Sequence, residues 1–252
     1  MHRPLLPNAS PVQKPRFLDS ALDYLYPPSC LQCELSTDGG RLLCPDCVAA
    51  AARVRAPFCS RCGECYDGVI EGQFACANCR DLNFAFEFAE AALRNTAKNH
   101  ELIVSYKYGK QRYLSGELAR FCAEVIEQSP RFKSLASPIL VPVPLHWRKQ
   151  WQRGFNQAEL LAQELSKLTG VPWQALLKRT RHTQTQTRLS RQQRAANLKD
   201  AFTARRIPEG FESVILIDDV FTTGSTAQAC AQALKKPASQ IENIVVLTAL
   251  RG

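Results

Sequence analysis

Apolar residues follow three regimes along the 252-residue chain. In the leader, Phe17, Leu18, Ala21, Leu22 and Leu25 recur at helical spacing until Pro27 and Pro28 stop the pattern, which predicts one short helix. Residues 30–79 carry no apolar period, so burial of a hydrophobic face cannot be what folds them. From residue 83 onward, strand-like and helix-like stretches alternate. Strands are predicted at 86–93, 139–143, 214–217 and 244–250. Helices are predicted at 97–106, 113–126, 155–168 and 225–234, the first of them stopped by Gly109. Such alternation predicts an α/β domain, a mostly parallel sheet with helices on its faces. Residues 179–194 are too polar for a core and predict a loop leading into a helix around Leu198. The expected organisation is a leader with a short helix (1–28), a cysteine-rich module (29–82) and the α/β domain (83–252).

Cysteine changes this picture most. The chain has 11, and nine lie within residues 30–79. The start of the chain lacks the apolar stretch of a secretory signal, and the apolar run at 139–145 is far too short for a membrane span. A cytoplasmic location with no transmembrane segment is therefore expected, where thiols stay reduced and disulfides are a poor explanation. Four Cys-x-x-Cys pairs, Cys30/Cys33, Cys44/Cys47, Cys59/Cys62 and Cys76/Cys79, suit metal instead. Each such turn presents two thiolates to one side of an ion, and two turns complete a tetrahedron. A redox motif needs one pair at a helix start, and iron–sulfur spacings differ. About two structural zinc ions are expected, with closed thiolate shells that fold a segment lacking a core. Cys65 is a ninth thiol, Cys62/Cys65 is a competing register, and the partnering of the pairs is left open.

Charge adds a second feature. The net charge is +9, and residues 141–206 hold thirteen Lys/Arg against three Asp/Glu. The whole positive excess sits in that segment, which reads as a surface for an anionic partner or as a set of solvated helix faces. Trp147, Trp151 and Phe155 lie among its charges, a mixture suited to phosphate neutralisation with base stacking, and equally to the core of the next helix.

The sharpest chemical signal is the run Val214, Ile215, Leu216, Ile217, Asp218, Asp219, Val220, Phe221, Thr222, Thr223, Gly224, Ser225, Thr226. Four apolar residues make a strand buried on both faces. Two carboxylates follow at its C-terminal end, where open α/β sheets take ligands. A short Thr/Gly loop then opens a helix, placing backbone N–H groups and a helix dipole where a phosphate would sit.

This run resembles the signature of type I phosphoribosyltransferases. Two further stretches narrow the likeness. One is Val141, Pro142, Val143, Pro144 with the Trp- and Arg-rich segment behind it; the other runs from Arg179 through Thr183, Thr185, Gln186, Thr187 and Leu189 to Arg194. With the cysteine pairs, they resemble the ComF family, linked to natural competence and DNA uptake. The resemblance implies a type I phosphoribosyltransferase fold behind an N-terminal double zinc ribbon. It implies that Asp218 and Asp219 meet ribose hydroxyls and that Thr222, Thr223, Gly224, Ser225 and Thr226 hold a 5′-phosphate. It further implies that Arg148, Lys149 and Arg153 contact pyrophosphate, that Arg188, Arg191 and Arg194 ride on a closing loop, and that Mg²⁺ accompanies the diphosphate. The expected partners are phosphoribosyl pyrophosphate or a nucleotide, single-stranded DNA and proteins of the competence machinery. Whether the chain turns over as a phosphoribosyltransferase is left open, since no base-recognition hood is evident in the sequence.

Overall fold

The structure is a computed structural model and describes residues 28–37, 40–70, 72–80, 82–109, 111–181, 198, 200–236 and 241–252. The expected leader helix and the loop residues 182–197, with Arg188, Arg191 and Arg194, lie outside the described residues. Two compact units, Met1–Val48 and Ala49–Gly252, divide the chain between its two groups of cysteines. Among the described residues no helix is long and apolar enough to cross a membrane.

In the smaller unit, the backbone folds tightly around Cys30, Cys33 and Cys44. The Cys30 amide donates to the Leu35 carbonyl (2.7 Å) and the Glu34 amide to the Cys30 carbonyl (2.8 Å). The next pair, Cys44/Cys47, straddles the start of α1 (Pro45–Ala50), with the Cys47 amide donating to the Cys44 sulfur (3.4 Å).

The larger unit begins with a second knuckle, 59–65, and a one-turn helix, α2 (Ala77–Arg80). Behind it stands a four-stranded parallel sheet in the order β1 (Ala89–Arg94), β6 (Asn243–Arg251), β5 (Ser213–Phe221), β2 (Pro138–Pro142). Helices α3 (Ala97–Tyr108), α4 (Leu114–Gln128), α5 (Pro130–Lys133), α6 (Trp147–Arg153), α7 (Gln157–Thr169) and α8 (Ser225–Lys235) join and flank the strands. The central strands β5 and β6 are apolar on both faces because both faces are covered. This is the expected α/β class, a mostly parallel sheet flanked by helices with cysteine groups ahead of it.

Three local features differ from the sequence expectation. The apolar run suggests that the third strand ends at Ile217, whereas β5 continues through both aspartates to Phe221. Its neighbour β6 keeps pairing there (Asp218 with Thr248, Phe221 with Arg251), and backbone pairing is indifferent to side-chain polarity. The segment after Val143 is a helix, α6, opened by His146 and closed by Gly154 in the left-handed conformation (φ 81°). His146 Nδ1 accepts from the Arg148 amide (3.3 Å). Finally, β3 (Leu177–Arg179) and β4 (Phe202–Ala204) pair antiparallel at the two ends of the polar segment. Three residues per strand are too few to show a period.

Candidate functional site

Sheet pairing places Asp218 and Asp219 near the C-terminal end of β5, and because they are consecutive in a strand they face opposite sides of the sheet. Asp218 is half-buried and lines a small cavity of about 30 Å³ together with Thr222, Thr223, Gly224, Ser225 and Thr226. Burial, and next the negative charge of Asp219, push the Asp218 carboxyl up to about 7, while Lys107 opposes that rise. Asp219 is buried and pairs with Lys107 Nζ at 3.1 Å.

The loop behind them is set by one glycine. Gly224 takes φ 76° as the residue before α8, and an added Cβ would stand 2.8 Å from the Phe221 ring. Only glycine fits that backbone and that space. Thr223 and Ser225 hydroxyls meet at 2.9 Å within the loop. The N-terminus of α8, where the Ser225 amide donates to Thr223 Oγ1 (3.5 Å), faces this cavity through Ser225, Thr226 and Ala227. Amide groups and hydroxyls converging on a helix start favour negative charge there.

Lys107, the partner of Asp219, is one of several neighbouring cations. Lys149 lies half-buried, and burial, then the charges of Arg179, Arg153 and Lys107, pull its pKa down. Lys149 feels three like charges, so contacts among its neighbours must hold this arrangement. Several contacts do so. The Tyr106 hydroxyl donates to the Gln157 carbonyl (2.7 Å), Asn156 Nδ2 donates to the Val143 carbonyl (3.2 Å), and Arg153 donates to Gln157 Oε1 (3.2 Å) and the Tyr108 hydroxyl (3.3 Å). Arg148 stays apart: it is exposed and stacks over Trp147 at 5.2 Å. Of the aromatics in this segment, Phe155 is core, whereas Trp147 and Trp151 are 64% and 86% exposed. Lys107 had no signal in the sequence, and Arg179 figured there only as the start of the polar motif. Each sits at the end of an element whose neighbours are decided by the fold.

The cysteines assemble as neighbouring pairs. Cys30, Cys33, Cys44 and Cys47 form one group, and Cys59, Cys62, Cys76 and Cys79 the other, with all sulfurs of a group within 4.8 Å of one another. A tetrahedron with Zn–S of ~2.3 Å has S···S edges of ~3.8 Å. The separations Cys33 to Cys44 (3.6 Å) and Cys62 to Cys76 (3.7 Å) fit it. Cys65 stands outside both groups and lies 3.9 Å from the Gly63 carbonyl. The second group does more than fold a loop. Its four cysteines belong to the same hydrophobic cluster as Phe86, Ile139 and Val214 of the sheet domain. Gly63 (φ 68°) lets the knuckle approach β1 so closely that a Cβ would lie 3.0 Å from the Ala89 carbonyl.

Residues 21–80 match the family model of the double zinc ribbon domain, so the two groups are its structural zinc sites. The chain is 33% identical over 184 residues to competence protein F of Haemophilus influenzae, covering 71% of this chain and 79% of that protein. It is 33% identical over 194 residues to DNA utilization protein YhgH of Salmonella typhimurium, covering 76% and 83%. Among solved structures, adenine phosphoribosyltransferase of Leishmania tarentolae aligns at 15% identity and a TM-score of 0.34, over 59% of this chain and 74% of that one.

Proposed function

Because the chain belongs to the family of competence protein F and DNA utilization protein YhgH, we propose that it serves DNA uptake or processing in the cytoplasm by binding phosphoribosyl pyrophosphate or a related nucleotide at the end of β5. The observation that carries this is the end of β5, where Asp218 lines a cavity with the glycine-opened start of α8 and Asp219 pairs with Lys107, one of the cations around Lys149. A sugar with vicinal hydroxyls, a monophosphate at one end and a diphosphate at the other matches that order of donors and acceptors. Asp218 and Asp219 accept from ribose hydroxyls. The loop 222–226 donates to the 5′-phosphate. Lys149 and Arg153, joined by Lys107 and Arg179, neutralise the diphosphate through charge-assisted hydrogen bonds. Mg²⁺ on the diphosphate would supply further neutralisation, a hard cation keeping waters and substrate oxygens.

Single-stranded DNA is the proposed macromolecular partner. Trp147 and Trp151 project from α6 beside Arg148, the pairing of stacking faces with cations that unpaired bases and phosphates require. Proteins of the competence machinery are expected further partners. A second reading, phosphoribosyl transfer to an acceptor, is favoured by the same cations, which would stabilise departing pyrophosphate.

Calorimetry with phosphoribosyl pyrophosphate and Mg²⁺ tests the site. Asp218→Asn with Asp219→Asn should abolish binding while the fold persists, since charged hydrogen bonds of about 1.5–3 kcal/mol each are lost. Unchanged affinity would place the ligand elsewhere. Pyrophosphate release with a panel of bases separates binding from turnover.

A further inference from the structure

Arg251 closes β6 and is only 8% exposed. Its guanidinium reaches two places at once. Nη1 donates to the carbonyls of Phe221 (3.0 Å) and Thr222 (3.2 Å), where β5 turns into the phosphate loop. Nη2 points to the Cys62 sulfur (3.8 Å), a ligand of the second zinc site, and pairs with Glu64 of the same knuckle. The guanidinium also lies over the Phe221 ring at 5.3 Å, the ring that Gly224 packs against. Knuckle and loop otherwise face each other across a cavity of about 390 Å³, with Cys62 and Glu64 on one wall and Thr222 and Thr223 on the other.

We propose that Arg251 is a positioning residue that ties the second zinc site to the phosphate loop, so that the second ribbon is a working part of the ligand site. The chemistry suits the task. Four thiolates around Zn²⁺ leave a formal surplus of negative charge, and an arginine beside one of them supplies both a counter-charge and an N–H···S bond. The planar fork fixes the direction of Nη1, which meets the two loop carbonyls and that of Gly252. Any shift of the knuckle is thereby transmitted to the backbone that begins the loop. The role in ligand binding rests on the phosphoribosyl pyrophosphate reading; the mechanical tie does not.

The test uses the full chain with zinc bound. In Arg251→Met, hydrogen exchange of peptides spanning residues 218–228 should accelerate by about tenfold, because local opening no longer breaks charged hydrogen bonds. Peptides from α7 should keep their wild-type rates, and zinc should remain at the wild-type stoichiometry. Affinity for phosphoribosyl pyrophosphate should fall in parallel. Wild-type exchange in the 218–228 peptides overturns the proposal. Where Arg251→Met does not fold, Arg251→Lys takes its place: lysine keeps a charge beside Cys62 but cannot also span both carbonyls. Faster exchange supports the tie, and wild-type exchange overturns it. If the wild-type protein takes up no phosphoribosyl pyrophosphate, the ligand reading fails, while the exchange measurement, which needs no ligand, still decides the role of Arg251.

Discussion

Replacing Lys107 with methionine removes the cation beside the paired carboxylates while keeping most of the side-chain volume. Its Nζ stands 3.1 Å from Asp219 Oδ1, with the side chains only 20% and 11% exposed. At that distance and an effective dielectric of about 20, the attraction is roughly 5 kcal/mol. Desolvation of both ions offsets part of it, so the loss of folding stability should be about 3 kcal/mol at pH 8, the lower range for breaking a buried pair. The effect should depend on pH. The Asp218 carboxyl, raised to about 7, binds its proton more firmly in the folded state than in the unfolded chain. Stability from this group is therefore present at pH 4, declines as pH rises toward 7 and levels off above it. Without Lys107 the rise is larger, so Lys107→Met should lose about 1–2 kcal/mol less at pH 5 than at pH 8, one pKa unit being about 1.4 kcal/mol. Urea unfolding of both proteins at the two pH values measures this, and a cycle with Asp219→Asn isolates the pair. A loss below about 0.5 kcal/mol at pH 8, the scale of an exposed pair, would refute the assignment of Lys107 to the carboxylates.

The other expectations are more direct. Gly224→Ala should lower stability by about 1–2 kcal/mol from left-handed backbone strain alone. The contact its Cβ makes with the Phe221 ring adds to that loss and shifts the phosphate loop, read as an earlier urea midpoint and weaker binding of phosphoribosyl pyrophosphate. Affinity for that ligand should fall as pH drops through about 7, where Asp218 takes up a proton, and Asp218→Asn should abolish the step in a calorimetric pH series. Elemental analysis should find one zinc per cysteine group. Cys44→Ser should remove one equivalent; Cys62→Ser should remove the other and also lower the midpoint of the sheet domain, whose hydrophobic cluster contains Cys62.

Much of the chain could be read from local pattern alone. The apolar runs at 139–143 and 244–250 mark β2 and β6 because a strand covered on both faces must be apolar throughout. The four Cys-x-x-Cys turns announce zinc because the chemistry lies within each turn. The run from Val214 to Thr226 shows β5, its two acids, the glycine turn and the start of α8 because these are contiguous in sequence. What the sequence left open depended on residues far apart in it. The neighbouring cysteine pairs share metals and Cys65 is left aside only because backbone hydrogen bonds, such as the Gly63 amide to the Cys59 carbonyl (2.9 Å), fix which sulfurs converge. Trp151 stands in solvent on α6, whereas Phe155 enters the core because the left-handed Gly154 ends that helix and redirects the chain before it. Lys107 reached Asp219 across 112 positions, and Arg251 reached Cys62 across 189, by way of sheet order and helix packing. Local pattern determined which chemistry the chain carries, since strands, turns and caps form from neighbours. Tertiary structure decided which charges meet, because a long side chain's partner is chosen by the packing of whole elements.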